Sequence, residues 1–92
     1  MDNQKTIISG IPFQRIVEYF ESISAEKELS CTKVGQAYRF ENRKICIEIT
    51  PNLDPPVIRL VVPMTDITFT GTGAEVDAFM AAYRMAFLSA GG

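Results

Sequence analysis

The chain has 92 residues, of which 47% are hydrophobic and 22% are charged, and its formal net charge is −2. This size and composition fit one globular domain that folds without disulfides or metal, so we expect residues 1–92 to form a single domain. The acidic balance gives no general attraction to nucleic acid, and the chain has no histidine, which excludes His-based catalytic pairs and His-containing zinc sites. We therefore expect a domain that is not an enzyme and binds no cofactor.

The start of the chain predicts a strand followed by an amphipathic helix. Lys5 to Ser9 is a short strand candidate that Gly10 closes. Pro12 suits the first turn of a helix, because its missing N–H needs no partner there. Hydrophobic residues then recur at helical spacing, and they are Phe13, Ile16, Val17, Phe20 and Ile23.

The middle of the chain changes to a period of two, which is typical of strands with one buried face. Leu29 to Val34 predicts a weak strand, and a hairpin follows with its turn at Asn42–Arg43. After a proline-rich loop at 51–56, the hydrophobic residues of Val57 to Thr70 change face partway. Because side chains alternate strictly along a strand, we predict one long strand with a bulge at Pro63–Met64.

The last segment predicts a second helix. Thr72 and Glu75 form a Thr-x-x-Glu capping box, and the core side of the helix follows as Val76, Phe79, Met80, Tyr83 and Phe87. The order of elements is therefore β-α-β(4)-α. We expect an α+β fold in which both helices pack on one face of an antiparallel sheet, leaving the other face open.

Five short stretches carry a family resemblance: Gly10–Phe13, Tyr38–Phe40, Val62–Pro63, Phe69–Gly71 and Gly91–Gly92. Together with the order of elements, they make the chain similar to the C-terminal domain of MoaD-related proteins. In that family a β-grasp module like a sulfur carrier precedes a small domain of TBP-like fold. The resemblance implies a TBP-like fold and proximity to molybdopterin or sulfur-carrier chemistry. It transfers no catalytic residue, and the 92 residues contain no β-grasp module.

The open sheet face is the first candidate binding surface, and the residues that mark it are Arg39, Cys46, Glu48 and Arg59. It could bind a small ligand or a protein, or it could be a solvated face with weak cross-strand ion pairs. Interleaved charges without an aromatic residue disfavour nucleic acid. Cys46 is expected to be an ordinary half-buried thiol, and the alternative is that nearby guanidinium groups lower its pKa and make it reactive. The strand order of the family places Cys31 too far from Cys46 for a disulfide.

The second helix is the second candidate, because it is apolar over more of its circumference than one sheet can cover. A further stripe lies opposite its core side and consists of Ala78, Ala81, Met85 and Leu88. Small residues beside two large ones suit the close approach of another helix, so we expect a protein partner or a homodimer there. The alternative is that the alanines serve only helix propensity and Leu88 touches the first helix.

Glycines supply two further candidates. Sulfur carriers end in Gly-Gly, so Gly91 and Gly92 support the alternative hypothesis of a carrier or conjugation substrate. Those carrier tails follow a strand, whereas this pair follows a helix, where glycine serves as a C-cap. Gly71 and Gly73 precede a helix as phosphate-binding loops do, but the acidic first turn of that helix favours a simple turn and cap.

The sequence also bears on where the protein acts. No apolar run approaches the roughly 18 residues of a membrane span, and the first residues lack the pattern of a signal peptide. We expect a cytoplasmic protein that does not enter a membrane. The favoured function is a small interaction or accessory domain linked to molybdopterin or sulfur-carrier biology, with a carrier role and small-ligand binding on the open face as alternatives.

Overall fold

The computed structural model describes residues 3–51 and 64–88. Its strands are β1 (Asn3–Ser9), β2 (Ser30–Val34), β3 (Ala37–Glu41), β4 (Ile45–Pro51) and β5 (Thr65–Gly71). Helix α1 (Phe13–Lys27) follows β1, and helix α2 (Gly73–Leu88) follows β5. The predicted α+β order, β-α-β(4)-α, is confirmed.

All five strands form one antiparallel sheet in the order β1-β5-β4-β3-β2. Its register keeps the hydrophobic residues together, since Ile47 of β4 lies between Phe40 of β3 and Phe69 of β5. Residues that lie directly opposite each other share a face of the sheet. One face therefore carries the large hydrophobic side chains, and the other carries mostly polar ones.

Both helices cover the hydrophobic face. The Phe20 ring of α1 has its centroid 5.8 Å from that of Phe40 and 6.3 Å from that of Phe69. Tyr19 joins the helices, with its centroid 5.4 Å from that of Phe87. The buried helix residues are the predicted ones, namely Ile16, Val17, Phe20, Val76, Phe79, Tyr83 and Phe87. The prediction that both helices pack on one side of the sheet is therefore confirmed.

The helix ends follow local chemistry. Pro12 precedes the first helical residue instead of lying in the first turn, and its carbonyl accepts from the Arg15 N–H at 3.0 Å. The predicted cap of α2 is confirmed, because Thr72 Oγ1 accepts from the Glu75 N–H at 3.3 Å. This bond satisfies one of the N–H groups that a helix start leaves unpaired.

The long strand predicted from Val57 to Thr70 is confirmed in its second half, which is β5. Residues 52–63, with the first half of that prediction and Pro63 of the predicted bulge, lie outside the described residues. Met64 immediately precedes β5 and is exposed. The bulge stays a prediction.

Gly71 lies where β5 passes the β3–β4 turn, and a Cβ there would lie 2.5 Å from the Lys44 backbone oxygen and 3.2 Å from the Ile45 Cα. Backbone atoms cannot swing aside as a flexible side chain can. We expect Gly71→Ala to lower the free energy of unfolding in urea by about 1–3 kcal/mol. Gly10→Ala is the matched control, because nothing lies within 4 Å of its added Cβ. Equal effects of the two substitutions would contradict this account.

Candidate functional site

The open sheet face carries an ion pair at its centre. The strand register places Arg39 opposite Glu48, as the sequence predicted for two residues of one face. Arg39 Nη2 lies 3.5 Å from Glu48 Oε1, and both side chains are more than 40% exposed. Because an exposed pair in water contributes only a few tenths of a kcal/mol to about 1 kcal/mol, this contact orients the two side chains more than it stabilises the fold.

Threonines continue this row on both sides of the ion pair. Thr68 lies beside Glu48 and pairs with Thr6, with 3.2 Å between their Oγ1 atoms. Thr32 lies beside Arg39 at the far edge. Sequence reasoning did not assign β1 or β2 side chains to this face, because the neighbours of each strand are known only once the strand order is known.

The surroundings of Cys46 differ from the expectation. The register places Glu41 opposite it on β3 and Thr70 opposite it on β5. Partial burial raises the pKa of the Cys46 thiol, Glu41 and Glu48 raise it further, and Arg39 lowers it by a smaller amount. The net rise, which is due first to burial and then to the two carboxylates, fits the ordinary half-buried thiol, although Arg39 does lower the pKa as expected.

The described part of the open face has an acidic balance. Glu41, Glu48 and Asp66 stand against Arg39, while Arg59 lies outside the described residues. Lys44 belongs to the β3–β4 turn and not to a strand. The described part of this face therefore has no excess of cations that would attract phosphate groups.

The two cysteines project from opposite faces of the sheet. Cys31 lies opposite Phe40, on the face that the helices cover, whereas Cys46 lies on the open face. One intervening strand, β3, separates them, and both thiols are free. Burial, followed by the charge of Glu21, raises the pKa of Cys31. Residues 3–51 and 64–88 contain no cluster of His, Cys, Asp and Glu side chains that could hold a metal ion.

The outward side of α2 carries the predicted apolar stripe in its described part, with the exposed charged residues Asp77 and Arg84 beside it. Ala78 and Ala81 are exposed, and Met85 is 70% exposed. Leu88 is the last residue of α2, and its side chain lies outside the described part of the chain. Helix α1 gives the contrast within the same fold, since its exposed residues include the charged side chains Arg15, Glu18, Glu21, Glu26 and Lys27.

A cleft of about 940 Å³ separates the second half of α1 from the first half of α2. Its apolar lining consists of Tyr19, Ile23, Ala78, Phe79 and Ala82. Charged residues of both signs also line it, and they come from the end of α1 and the residue after it, the end of β3, the β3–β4 turn and α2: Glu26, Lys27, Glu28, Glu41, Arg43, Lys44 and Glu75. Sequence reasoning missed this cleft because it exists only where two helices diverge, although the small residues Ala78 and Ala82 were a signal.

A smaller apolar groove of about 470 Å³ lies at the other end of α2, beside β1. Its lining includes Ile7, Ile8, Ile11 and Phe87. Tyr83 and Ser9 also line this groove, and a hydrogen bond of 2.7 Å joins the Tyr83 hydroxyl to Ser9 Oγ. Burial raises the pKa of Tyr83, and this hydrogen bond lowers it by less. The phenol is therefore protonated at neutral pH and does not act as a base.

The remaining expectations concern a membrane span, the Gly91–Gly92 tail and the glycines at the start of α2. Neither helix that the structure describes combines the length and apolar character needed to cross a membrane. Gly91 and Gly92 lie outside the described residues, so the carrier hypothesis stays a prediction. Gly71 ends β5 and Gly73 begins α2, so the two glycines lie on either side of the cap residue Thr72, with Glu75 in the first turn of the helix, as expected for a turn and cap.

The raised pKa of Cys46 predicts slow alkylation near neutral pH, because a raised pKa means less thiolate at every pH below it. In a Cys31→Ser chain, we expect the alkylation rate to rise with pH and to level off only above the ordinary thiol value of 9.0. Glu41→Gln should speed the reaction and Arg39→Gln should slow it, measured by mass spectrometry. The same thiol in the urea-unfolded chain is the reference. A rate that levels off near neutral pH would contradict the assignment.

The family description that matches residues 4–92 is "Archaeal MoaD-like protein". No curated protein and no solved structure gives a significant match to the chain. The matched range includes both helices and nearly all of the sheet. It therefore concerns the domain described above, while the TBP-like arrangement that the resemblance implies stays a prediction.

Proposed function

The chain belongs to the archaeal MoaD-like protein family, and on that basis we propose that it is a non-enzymatic protein-binding domain whose partner is a β-grasp sulfur-carrier module. The family match carries the proposal, since it suggests sulfur-carrier or molybdopterin-related biology. The partner follows from the resemblance to MoaD-related proteins, in which a domain of this type accompanies such a module.

The cleft between α1 and α2 is the surface that suits a protein partner best. It combines an apolar lining that includes Tyr19, Ile23 and Phe79 with charged residues of both signs. Stable protein interfaces have this anatomy, with a desolvated apolar centre and a polar rim. Tyr19 is only half-buried in the single chain, and aromatic side chains of this kind contribute strongly when a partner covers them.

The chemistry of the titratable groups also supports binding over catalysis. The pKa values of Cys31, Cys46, Tyr19 and Tyr83 are all raised, mainly by burial. Each of these groups is therefore protonated near neutral pH, and an effective nucleophile or base needs the opposite shift. These four side chains thus offer contacts to a partner and no activated atom.

Ala82→Glu tests the cleft, because it places a charge and a longer side chain on the apolar lining without altering a buried residue. We expect the substitution to weaken binding of a purified β-grasp sulfur-carrier protein from the same organism by about tenfold or more. Isothermal titration calorimetry measures the dissociation constant. The matched control is Ala25→Glu, an exposed alanine on the charged helix α1.

Two results would count against the proposal. One is that the unaltered domain does not bind the carrier protein. The other is that Ala82→Glu and Ala25→Glu bind it equally well. Urea unfolding of both variants shows whether either substitution weakens the fold itself.

A further inference from the structure

The outward side of α2 has a pattern of charge and side-chain size that is complementary to itself when a second copy of the helix runs in the opposite direction. Asp77, Ala81 and Arg84 are four and three residues apart, so they share one side of the helix. Ala78 and Met85 lie on the other flank of Ala81, also three and four residues away. All five residues are exposed. Asp77 and Arg84 are the only charged residues between Val76 and Leu88.

We propose that this surface binds the same surface of a second copy of the chain, with the two α2 helices antiparallel about a two-fold axis at Ala81. Such an axis reverses the direction of the helix and keeps each flank on its own side. Residues before Ala81 in one copy therefore meet residues after Ala81 on the same flank of the other copy. The inference is independent of the cleft and of its partner.

The charges fit this arrangement. With a rise of 1.5 Å per residue, Asp77 lies about 6 Å before Ala81 and Arg84 about 4.5 Å after it. The axis therefore brings Asp77 of each copy next to Arg84 of the other, on the same flank of the interface. Asp77 Oδ1 already lies 3.2 Å from Lys5 Nζ of its own chain. A carboxylate accepts several hydrogen bonds through its two oxygens, so the second copy's arginine would extend this contact.

Side-chain size fits as well. Ala78 lies about 4.5 Å before Ala81 and Met85 about 6 Å after it, so the large Met85 of one copy packs against the small Ala78 of the other. Ala81 meets its own equivalent at the axis, where small residues let helices approach to about 8 Å. Met85 is 70% exposed in the single chain, and this contact would cover it.

The opposite orientation of the helices fits poorly. Parallel α2 helices related by a two-fold axis along their length would bring opposite flanks together. Asp77 and Arg84 of one copy would then face Ala78 and Met85 of the other, which leaves both charges without a charged partner across the interface. Helix α1 offers no equivalent surface, because five of its exposed residues are charged, namely Arg15, Glu18, Glu21, Glu26 and Lys27. The antiparallel pair of α2 helices therefore satisfies both charge and size.

Charge reversal tests the proposal by sedimentation equilibrium. Arg84→Asp replaces two attractive contacts with two repulsive ones, so we expect the dimer dissociation constant to rise about tenfold. Asp77→Arg should act in the same direction. The double variant Asp77→Arg/Arg84→Asp restores both contacts and should recover dimerisation to within about threefold of the original constant. A monomeric unaltered chain, or a double variant as weak as the single ones, would overturn the proposal.

A disulfide at the axis tests the geometry directly. In a chain with Cys31→Ser and Cys46→Ser, we expect Ala81→Cys to form a covalent dimer rapidly on mild oxidation. A disulfide needs the two Cβ atoms within about 4.5 Å of each other, and the axis brings position 81 of both copies together. Ala25→Cys on α1 is the control for random collision and should react slowly. Equal rates at the two positions would refute the two-fold arrangement. If the chain forms no dimer but Ala82→Glu weakens binding of the carrier protein, only this inference is refuted and the proposed function stands.

Discussion

The fold depends on the contact of Phe20 with the row Phe40, Ile47 and Phe69 at the centre of the sheet. All four side chains are fully buried. Three neighbouring strands supply the row and α1 supplies the ring above it, so the contact joins residues that are far apart in the chain. Burying a large hydrophobic side chain contributes about 1.5–3 kcal/mol.

This one-sided core explains where the binding surfaces are. Strict alternation along each strand sends every large hydrophobic residue of β4 and β5 to the helix side, and it leaves threonines, carboxylates and one thiol on the other. Helices α1 and α2 both cover this hydrophobic face of the sheet. The residues on the outward sides of the two helices do not pack in the core, so the core does not determine them. The difference between the charged outward side of α1 and the largely apolar outward side of α2 therefore reflects something other than folding.

The two proposals use different sides of α2. The cleft lies on the side that turns toward α1, and the two-fold contact lies on the side that turns away from the sheet. Only Ala78 belongs to both surfaces, and it lies at their border. One copy of the domain can bind a partner in its cleft while a second copy covers the outward side of its α2. A dimer of this kind would therefore present two clefts, one in each copy, to two partners.

Periodicity and capping in the sequence were enough to establish the elements. The period of two gave the strands, the helical spacing gave both helices with their buried residues, and Thr72 marked the start of α2, because these signals are local. The apolar outward side of α2 was also readable, since helical geometry alone decides which residues share a side. Tertiary structure decided what depends on the neighbours of each strand: that Glu41 and not an arginine faces Cys46, that Cys31 lies on the opposite face, and that Tyr19 and Phe79 line one cleft. Strand order and register set these contacts across many residues of separation, and no local pattern in the chain encodes them.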